Sequence, residues 1–295
     1  MNQSEIEKLI KSGSIAKQVV EYAKSFIKPS MKLLEIAERI EEKIYELGGK
    51  PAFPVNLSKN NIAAHSTPVT NDTEIAEGLL KVDIGIHIDG YIADTALSLD
   101  LEDNEENKKL IEAAETALQK ALDVINQTST LGEIGKIIES TIKSFNLSPI
   151  HNLSGHSIEK YNLHAGITIP NFDTKQNKKL LPGIYAIEPF STNGLGSVKE
   201  GRLSGIYMLK KSGQVRDKNS REILSFIESE YKSLPFCTRW IEKKFGSRSI
   251  LALKRIEEAG LLHNYPLLTE ISNGKVAQAE HTVILTENEK IITTK

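Results

Sequence analysis

The strongest constraint on the fold of this 295-residue chain is an internal repeat within its first 150 residues. LLEIAERIEEKIYELGGKPA (33–52) aligns with LGEIGKIIESTIKSFNLSPI (131–150) at an offset of 98 residues. Leu33/Leu131, Glu35/Glu133, Ile36/Ile134, Ile40/Ile138, Glu41/Glu139, Ile44/Ile142 and Pro51/Pro149 coincide. The preceding segments add Ala16/Ala114, Ala23/Ala121 and Ile27/Ile125. Any two amphipathic helices share Ile and Glu at such spacings. The matching prolines and the matching order of elements favour a true repeat. A repeated helix pair followed by strands implies two similar α/β (α+β) halves around one sheet. A cleft between halves is a usual place for a site.

Ser4 to about Ile27 reads as the first helix, capped by Ser4 with Glu7 three residues on and Pro29 beyond its end. The second runs from about Lys32 to Leu47 and stops at Gly48-Gly49. Their counterparts run at about Glu105 to Gln127 and Leu131 to Phe145. Extended segments are expected around PAFPVNLS, IAAHSTP, SPIHNLSGHSIEK, LHAGITIP and LLPGIYAIEPF. Residues 201–266 are helical and charge-rich, and strand patterning resumes only at LLTEIS, so this stretch reads as a helical insertion.

KVDIGIHIDGYIADTALSL (81–99) reads as a β-hairpin turning at Asp89-Gly90. Strand interiors disfavour Asp, yet Asp83 and Asp94 lie inside the two strands. A buried carboxylate is costly unless paired or bound to a metal. With the turn at 89–90, Ile88 pairs with Tyr91 and Gly85 with Asp94. Asp94 is then a diagonal neighbour of Asp83 on one face. A turn shifted by one residue would set the two acids directly opposite each other. Gly85 leaves room between them.

Converging carboxylates repel, so either one takes up a proton or a cation neutralises both. A cation explains them better if other ligand types converge. His156 in LSGHSIE, Glu188 in GIYAIEPF and Glu280 in VAQAEHTVIL are the candidates, and both glutamates follow apolar runs. Singly, each has a structural reading as a strand acid or a core histidine. Asp89 is a turn residue, and alternation turns His281 away from Glu280. His87 lies nearer the turn, His151 and His263 read as loop residues, and none of these is assigned chemistry. Together, four carboxylates and one imidazole suit two hard or borderline divalent ions, such as Mn, Fe(II), Co or Zn. Two ions sharing carboxylates can hold a hydroxide at neutral pH, which makes hydrolysis the reaction class.

Composition narrows the setting. Net charge is −2, which gives no general argument for nucleic acid or an anionic membrane. The one cysteine, Cys237, permits no intrachain disulfide and fits a reducing compartment. A polar, acidic start and the lack of an 18-residue apolar run lead us to expect a cytoplasmic chain without signal peptide or membrane span.

The five candidates come in the order Asp, Asp, His, Glu, Glu, within KVDIG, IADTA, SGHSI, AIEPF and AQAEHT. With AAHSTP (63–68), NLSGHSIEKYNLHAG, YAIEPFSTNGLG and LPFCTRW, they resemble the methionine aminopeptidases over nearly the whole chain. The resemblance implies a pita-bread fold of two pseudo-symmetric halves around a curved antiparallel sheet. It implies one catalytic domain over 1–295, carrying the insertion at 201–266. The 92-residue spacing from Glu188 to Glu280 resembles that of type 2 enzymes. The absence of a long charged N-terminal extension resembles the compact archaeal form.

By the same resemblance, Asp83 is a bidentate metal ligand, Asp94 and Glu280 bridge two divalent ions, and His156 and Glu188 complete the set. Glu188 also handles the proton of the attacking water, while His65 and His164 face the substrate. Phe53, Leu163 and Tyr265 wall the methionine pocket, though each also has a plain core reading. Expected substrates are N-terminal Met peptides and nascent chains with a small second residue. A monomer is expected, with a secondary ribosome contact where nascent chains emerge; Lys243-Lys244 and Arg248 in the insertion read as a solvated helix face. Two rivals stand beside this reading: a prolidase or aminopeptidase P on the same fold, and a non-catalytic ribosome- or nucleic-acid-binding homologue.

Overall fold

The computed structural model describes all 295 residues. Helices α1 (Gln3–Phe26) and α2 (Leu33–Glu46) recur as α3 (Glu105–Val124) and α4 (Leu131–Ser144). The repeat-matched residues take equivalent places. Ala16, Ala23, Ile27, Leu33, Ile36, Ile40 and Ile44 are buried in one core. Ala114, Ala121, Ile125, Leu131, Ile134, Ile138 and Ile142 are buried in the other. Ile27 and Ile125 each leave their helix in an extended conformation, with the N–H still bonded to the carbonyl of Ala23 or Ala121. Pro51 and Pro149 each close a two-residue strand after the second helix of their half. Full burial of each Leu or Ile is worth about 1.5–3 kcal/mol, so the apolar stripes rather than helix propensity decide how these helices sit.

The first cap differs from the sequence reading. Asn2, not Ser4, caps α1: its side chain accepts from the Glu5 N–H at 3.0 Å, and Glu5 accepts from the Asn2 N–H at 2.8 Å. Both pairs satisfy the capping-box spacing, and the earlier one lengthens the helix.

The hairpin forms in the expected register. Leu79–Ile88 pairs with Tyr91–Asp100, Ile88 opposite Tyr91 and Gly85 opposite Asp94. Asn56–Lys59 and Lys50–Pro51 pair with the other edge of Leu79–Ile88. The second half contributes a five-stranded antiparallel sheet in the order Lys290–Ile292, His281–Leu285, Gly183–Ile187, Ser154–Ile158, Thr168–Pro170. Phe190–Thr192, just after Glu188, and Val276–Gln278, just before Glu280, pair with each other, and Ser148–Pro149 pairs with the other edge of Phe190–Thr192. No helix is long and apolar enough to cross a membrane.

Helices α5 (Lys218–Glu230), α6 (Thr238–Phe245) and α7 (Ser249–Glu258) fill the middle of the expected insertion. Its two ends are not helical. Val198–Leu209 and Leu262–Glu270 are paired strands, which together with Phe236–Cys237 and Ile62–Ala64 form a further sheet. The alternating apolar residues of GIYML and the LLHNY run are strand signals that the charged surroundings obscured. His263, expected in a loop, lies in this strand.

One buried ion pair ties the helices to the first half. Arg239 donates to both oxygens of Glu41 at 2.6 and 2.8 Å, and Trp240 Nε1 donates to the same carboxylate at 2.9 Å. Arg239 and Glu41 are both buried. Removing one partner strands the other charge, so Glu41→Ala is expected to lower stability by about 3–5 kcal/mol in urea unfolding. A loss below about 1 kcal/mol would show that this pair does not anchor the helices.

Candidate metal centre

Asp83 and Asp94 sit on one face of the hairpin because strand side chains alternate and their register is offset by two. Asp83 lies opposite Ala96, and Asp94 opposite Gly85. Gly85 serves a different end than expected. A Cβ there would meet the Phe53 ring at 2.2 Å, so the glycine admits Phe53 rather than opening space between the acids. His156 arrives on Ser154–Ile158, opposite Ala186. Glu188 and Glu280 each stand at the end of a strand: Glu188 follows Gly183–Ile187, and Glu280 precedes His281–Leu285. An isolated bridge from Glu280 to Ala96 brings the second half against the hairpin.

The five candidates converge. One donor atom each from Asp94, His156 and Glu280 lies within 4.8 Å of the others. His156 Nε2 is 3.5 Å from Glu188 Oε1 and 3.7 Å from Asp94 Oδ2. Asp83 and Glu188 line the same cavity of about 330 Å³. His65, His164, Phe53, Leu163 and Tyr265 line it too, with Ile206. The His164 ring packs edge-on against His156 at 4.3 Å between centroids, and Tyr265 meets His65 at 5.1 Å.

The electrostatics are those of a site short of positive charge. Burial pushes Asp83 up to about 7. Burial and then the Asp83 charge raise Asp94 well above the carboxylate range. Burial, followed by the charges of Asp94 and its neighbours, raises Glu188 and Glu280 in the same way. Burial lowers His156 to about 3 and His65 to about 4, so both are neutral at pH 7. His164 is open to solvent at the cleft, yet its walls still lower its pKa by desolvation. The buried atoms Asp83 Oδ1, Asp94 Oδ1 and His156 Nδ1 have no hydrogen-bond partner. Buried polar atoms are rarely left so. Four oxygen donors and a neutral imidazole therefore fit a divalent cation by charge and by donor chemistry.

The sequence reading passed over several supporting groups. Thr282 Oγ1 accepts from the Asp94 N–H at 2.7 Å and donates to the Asp94 carbonyl at 2.8 Å. Gln278 Nε2 lies 3.4 Å from Glu188 Oε2. Thr95 Oγ1 donates to the Glu280 carbonyl, and Asn171 Nδ2 to that of Glu188. Gln278 was legible, since it stands two residues before Glu280 on the same face. Asn56 lines the cavity with a buried, unpartnered Oδ1, and nothing in its sequence context marks it. The residues set aside stay apart from the cluster. His87 Nδ1 accepts from the Gly90 N–H and braces the turn, His151 Nδ1 meets the Gly196 carbonyl, and His281 meets Thr294.

Residues 7–287 match the model of metallopeptidase family M24. Among curated relatives, the methionine aminopeptidase of Pyrococcus abyssi is 48% identical, covering 99% of this chain and 100% of that one. Among solved structures, a thermophilic Arx1 superposes with a TM-score of 0.83 at 16% identity, over 99% of this chain and 91% of that one. The methionine aminopeptidase of Thermotoga maritima superposes with a TM-score of 0.72 at 22% identity, over 100% and 98%. The fold is thus the pita-bread fold of metallopeptidases. The chain belongs to metallopeptidase family M24, and within it to the methionine aminopeptidases.

Charge frustration in the metal-free site has a measurable sign. An acid whose pKa is raised on folding is ionised in the unfolded chain while still protonated in the fold. It therefore costs stability as pH rises from about 4 through its folded value, which for Asp83 is about 7. The depressed histidines act oppositely over part of this range, but they cancel in a comparison of variants. Asp94→Asn is expected to stabilise the metal-stripped protein at pH 7.5 by on the order of 1–3 kcal/mol, and by less at pH 5. With divalent metal added, the same substitution should be destabilising. Urea unfolding with and without chelator measures both, and a loss of stability in the metal-free state would contradict the charge argument.

Proposed function

We propose that this chain removes the N-terminal methionine from peptides and nascent chains whose second residue is small, using two divalent ions. The observation that carries the reading is the convergence of Asp83, Asp94, His156, Glu188 and Glu280 on one wall of a cavity. Phe53, Leu163, Ile206 and Tyr265 give the same cavity apolar lining. Asp94 and Glu280 would be shared by the two ions, Asp83 would hold one of them, and His156 and Glu188 would hold the other. When bound, the ions would lower the pKa of the attacking water and polarise the scissile carbonyl. Mn, Fe(II), Co and Zn all suit the donor set.

The chain's own residues divide the remaining work. Glu188 takes the proton of the water and delivers it to the leaving amine, a task suited to a carboxylate at the cavity edge. His65 Nδ1 lies 3.2 Å from the Pro266 carbonyl, which can only accept. Nδ1 therefore carries the proton, and the neutral ring presents Nε2 as an acceptor for the scissile amide N–H. His164, with no protein partner holding its ring nitrogens, donates to the developing oxyanion. Phe53, Leu163 and Tyr265 receive the methionine side chain. The functional unit is one catalytic domain with residues 201–266 inserted. A monomer working on nascent chains would present the exposed Lys243, Lys244 and Arg248 of that insertion to the ribosome.

Release of methionine from Met-Ala-Ser by metal-stripped protein, with each metal added back, tests the reading. Release is expected only with metal, and Asp94→Asn is expected to lower it at least about 100-fold. His164→Ala should lower kcat by about 10²–10³ with metal binding intact. Cleavage of Ala-Pro peptides in place of Met-Ala-Ser would instead make this a prolidase-type enzyme. Folded, metal-loaded protein that cleaves neither would be a binding homologue.

A further inference from the structure

A second hollow of about 480 Å³ adjoins the metal-site cavity. Asn152, Ser154, Gly166, Ile167 and Thr168 line both. The shared wall is the last strand of the five-stranded sheet, Thr168–Pro170, with the two residues leading into it. Ser157 N–H donates to the Ile167 carbonyl at 2.9 Å, and Ile167 N–H donates to Ser157 Oγ at 3.0 Å. Ile167 thus faces the neighbouring strand. In an antiparallel pair the next residue turns its backbone the other way, so the N–H and C=O of Thr168 point off the sheet edge. Pro170, which has no N–H to give, falls on the same outward phase, as edge prolines do.

This edge is level with the chemistry. Thr168 is the register partner of His156. Gly166 and Thr168 are exposed, and a Cβ on Gly166 would meet nothing within 4 Å, so the approach is open. The far wall of the hollow includes Thr174, whose buried Oγ1 has no partner. A free edge, a hollow beside it and a wall shared with the site match what an extended peptide needs when it adds as a strand.

We propose that the third and later residues of the substrate bind as an extended strand along Gly166–Thr168, exchanging main-chain hydrogen bonds with Thr168 while their side chains enter the hollow toward Thr174. This rests on the aminopeptidase reading. Main-chain pairing carries little side-chain preference, which suits an enzyme that handles many different N-termini. Pro170 and the shortness of the strand keep the same edge from pairing with other chains.

The test compares kcat/KM of metal-loaded protein on Met-Ala-Ser with that on a hexapeptide beginning Met-Ala-Ser. It then uses the same hexapeptide N-methylated singly at its third, fourth or fifth residue. The hexapeptide is expected to be better by about tenfold, chiefly through KM, as one or two net hydrogen bonds allow. One methylation position should remove most of that advantage. Thr168→Pro removes the outward N–H and should shrink the advantage too, whereas Thr168→Ala, which keeps that N–H, should not. Equal kcat/KM for the two lengths, or an advantage indifferent to every methylation, overturns the proposal while leaving the aminopeptidase reading intact. Failure to cleave Met-Ala-Ser itself removes that reading and this proposal with it.

Discussion

Mutual repulsion among Asp83, Asp94, Glu188 and Glu280 is the interaction on which the rest of the molecule depends. Four carboxyls in one buried cluster cannot all ionise without a countercharge. Each is raised first by burial, and Asp94, Glu188 and Glu280 are raised further by one another or by Asp83. No Lys or Arg side chain forms an ion pair with any of them. Lys81 is buried two residues from Asp83, but its Nζ donates to the Asn60 carbonyl instead, and burial lowers its pKa well below the usual lysine range. A cation supplied from outside is therefore part of the design, and the protein's task is to keep the donors from relaxing apart.

The fold does this by joining two halves at the cluster. The first half supplies Asp83 and Asp94 on a hairpin backed by α1 and α2, and the second supplies His156, Glu188 and Glu280. The seam is stitched at the ligands themselves. Thr282 bonds both the N–H and the carbonyl of Asp94, Thr95 bonds the Glu280 carbonyl, and Ser98 bonds the Gln278 carbonyl. Each bond is individually modest. They fix backbone rather than side-chain rotamers, so the carboxylates project from strands that cannot slide. Duplicating one helix pair plus strands gives two separate cores, and hence a rigid support on either side of the seam.

Legibility in the sequence followed how local each signal was. The hairpin register was readable because Asp89-Gly90 names its turn and alternation then places every side chain. The helix pairs were readable because their apolar stripes repeat. The α1 cap was misread because two capping-box patterns overlap within six residues. Strand Val198–Leu209 and the start of Leu262–Glu270 were hidden because charged surroundings masked their apolar pattern and each has its partner across three helices. The five candidate ligands, which the structure brings around one cavity, were picked out through motif order, while Thr282, Asn56 and Asn171 were passed over. Those three act through backbone bonds or cavity walls, and a lone Thr or Asn carries no mark of that. Gly85 shows the limit most plainly. Its need for space was legible, but the occupant, Phe53, comes from a segment 32 residues earlier.

The helical insertion is best understood through His65. That residue has φ 62°, a left-handed conformation that costs a histidine on the order of 1 kcal/mol. Its ring is held by the Pro266 carbonyl and the Tyr265 ring, both on the strand that leaves the insertion. The loop that follows it is held from the insertion helices: Arg239 Nε donates to the Pro68 carbonyl at 3.2 Å, and Thr70 Oγ1 donates to Glu242 at 2.6 Å. Arg239 is in turn locked to Glu41 on α2. The candidate substrate contact His65 thus has its ring held by the strand that leaves the insertion and its following loop held by α6 within it. The insertion is coupled to the site through this chain of contacts rather than appended to it, and the buried Glu41–Arg239 pair is the point at which that coupling meets the repeat.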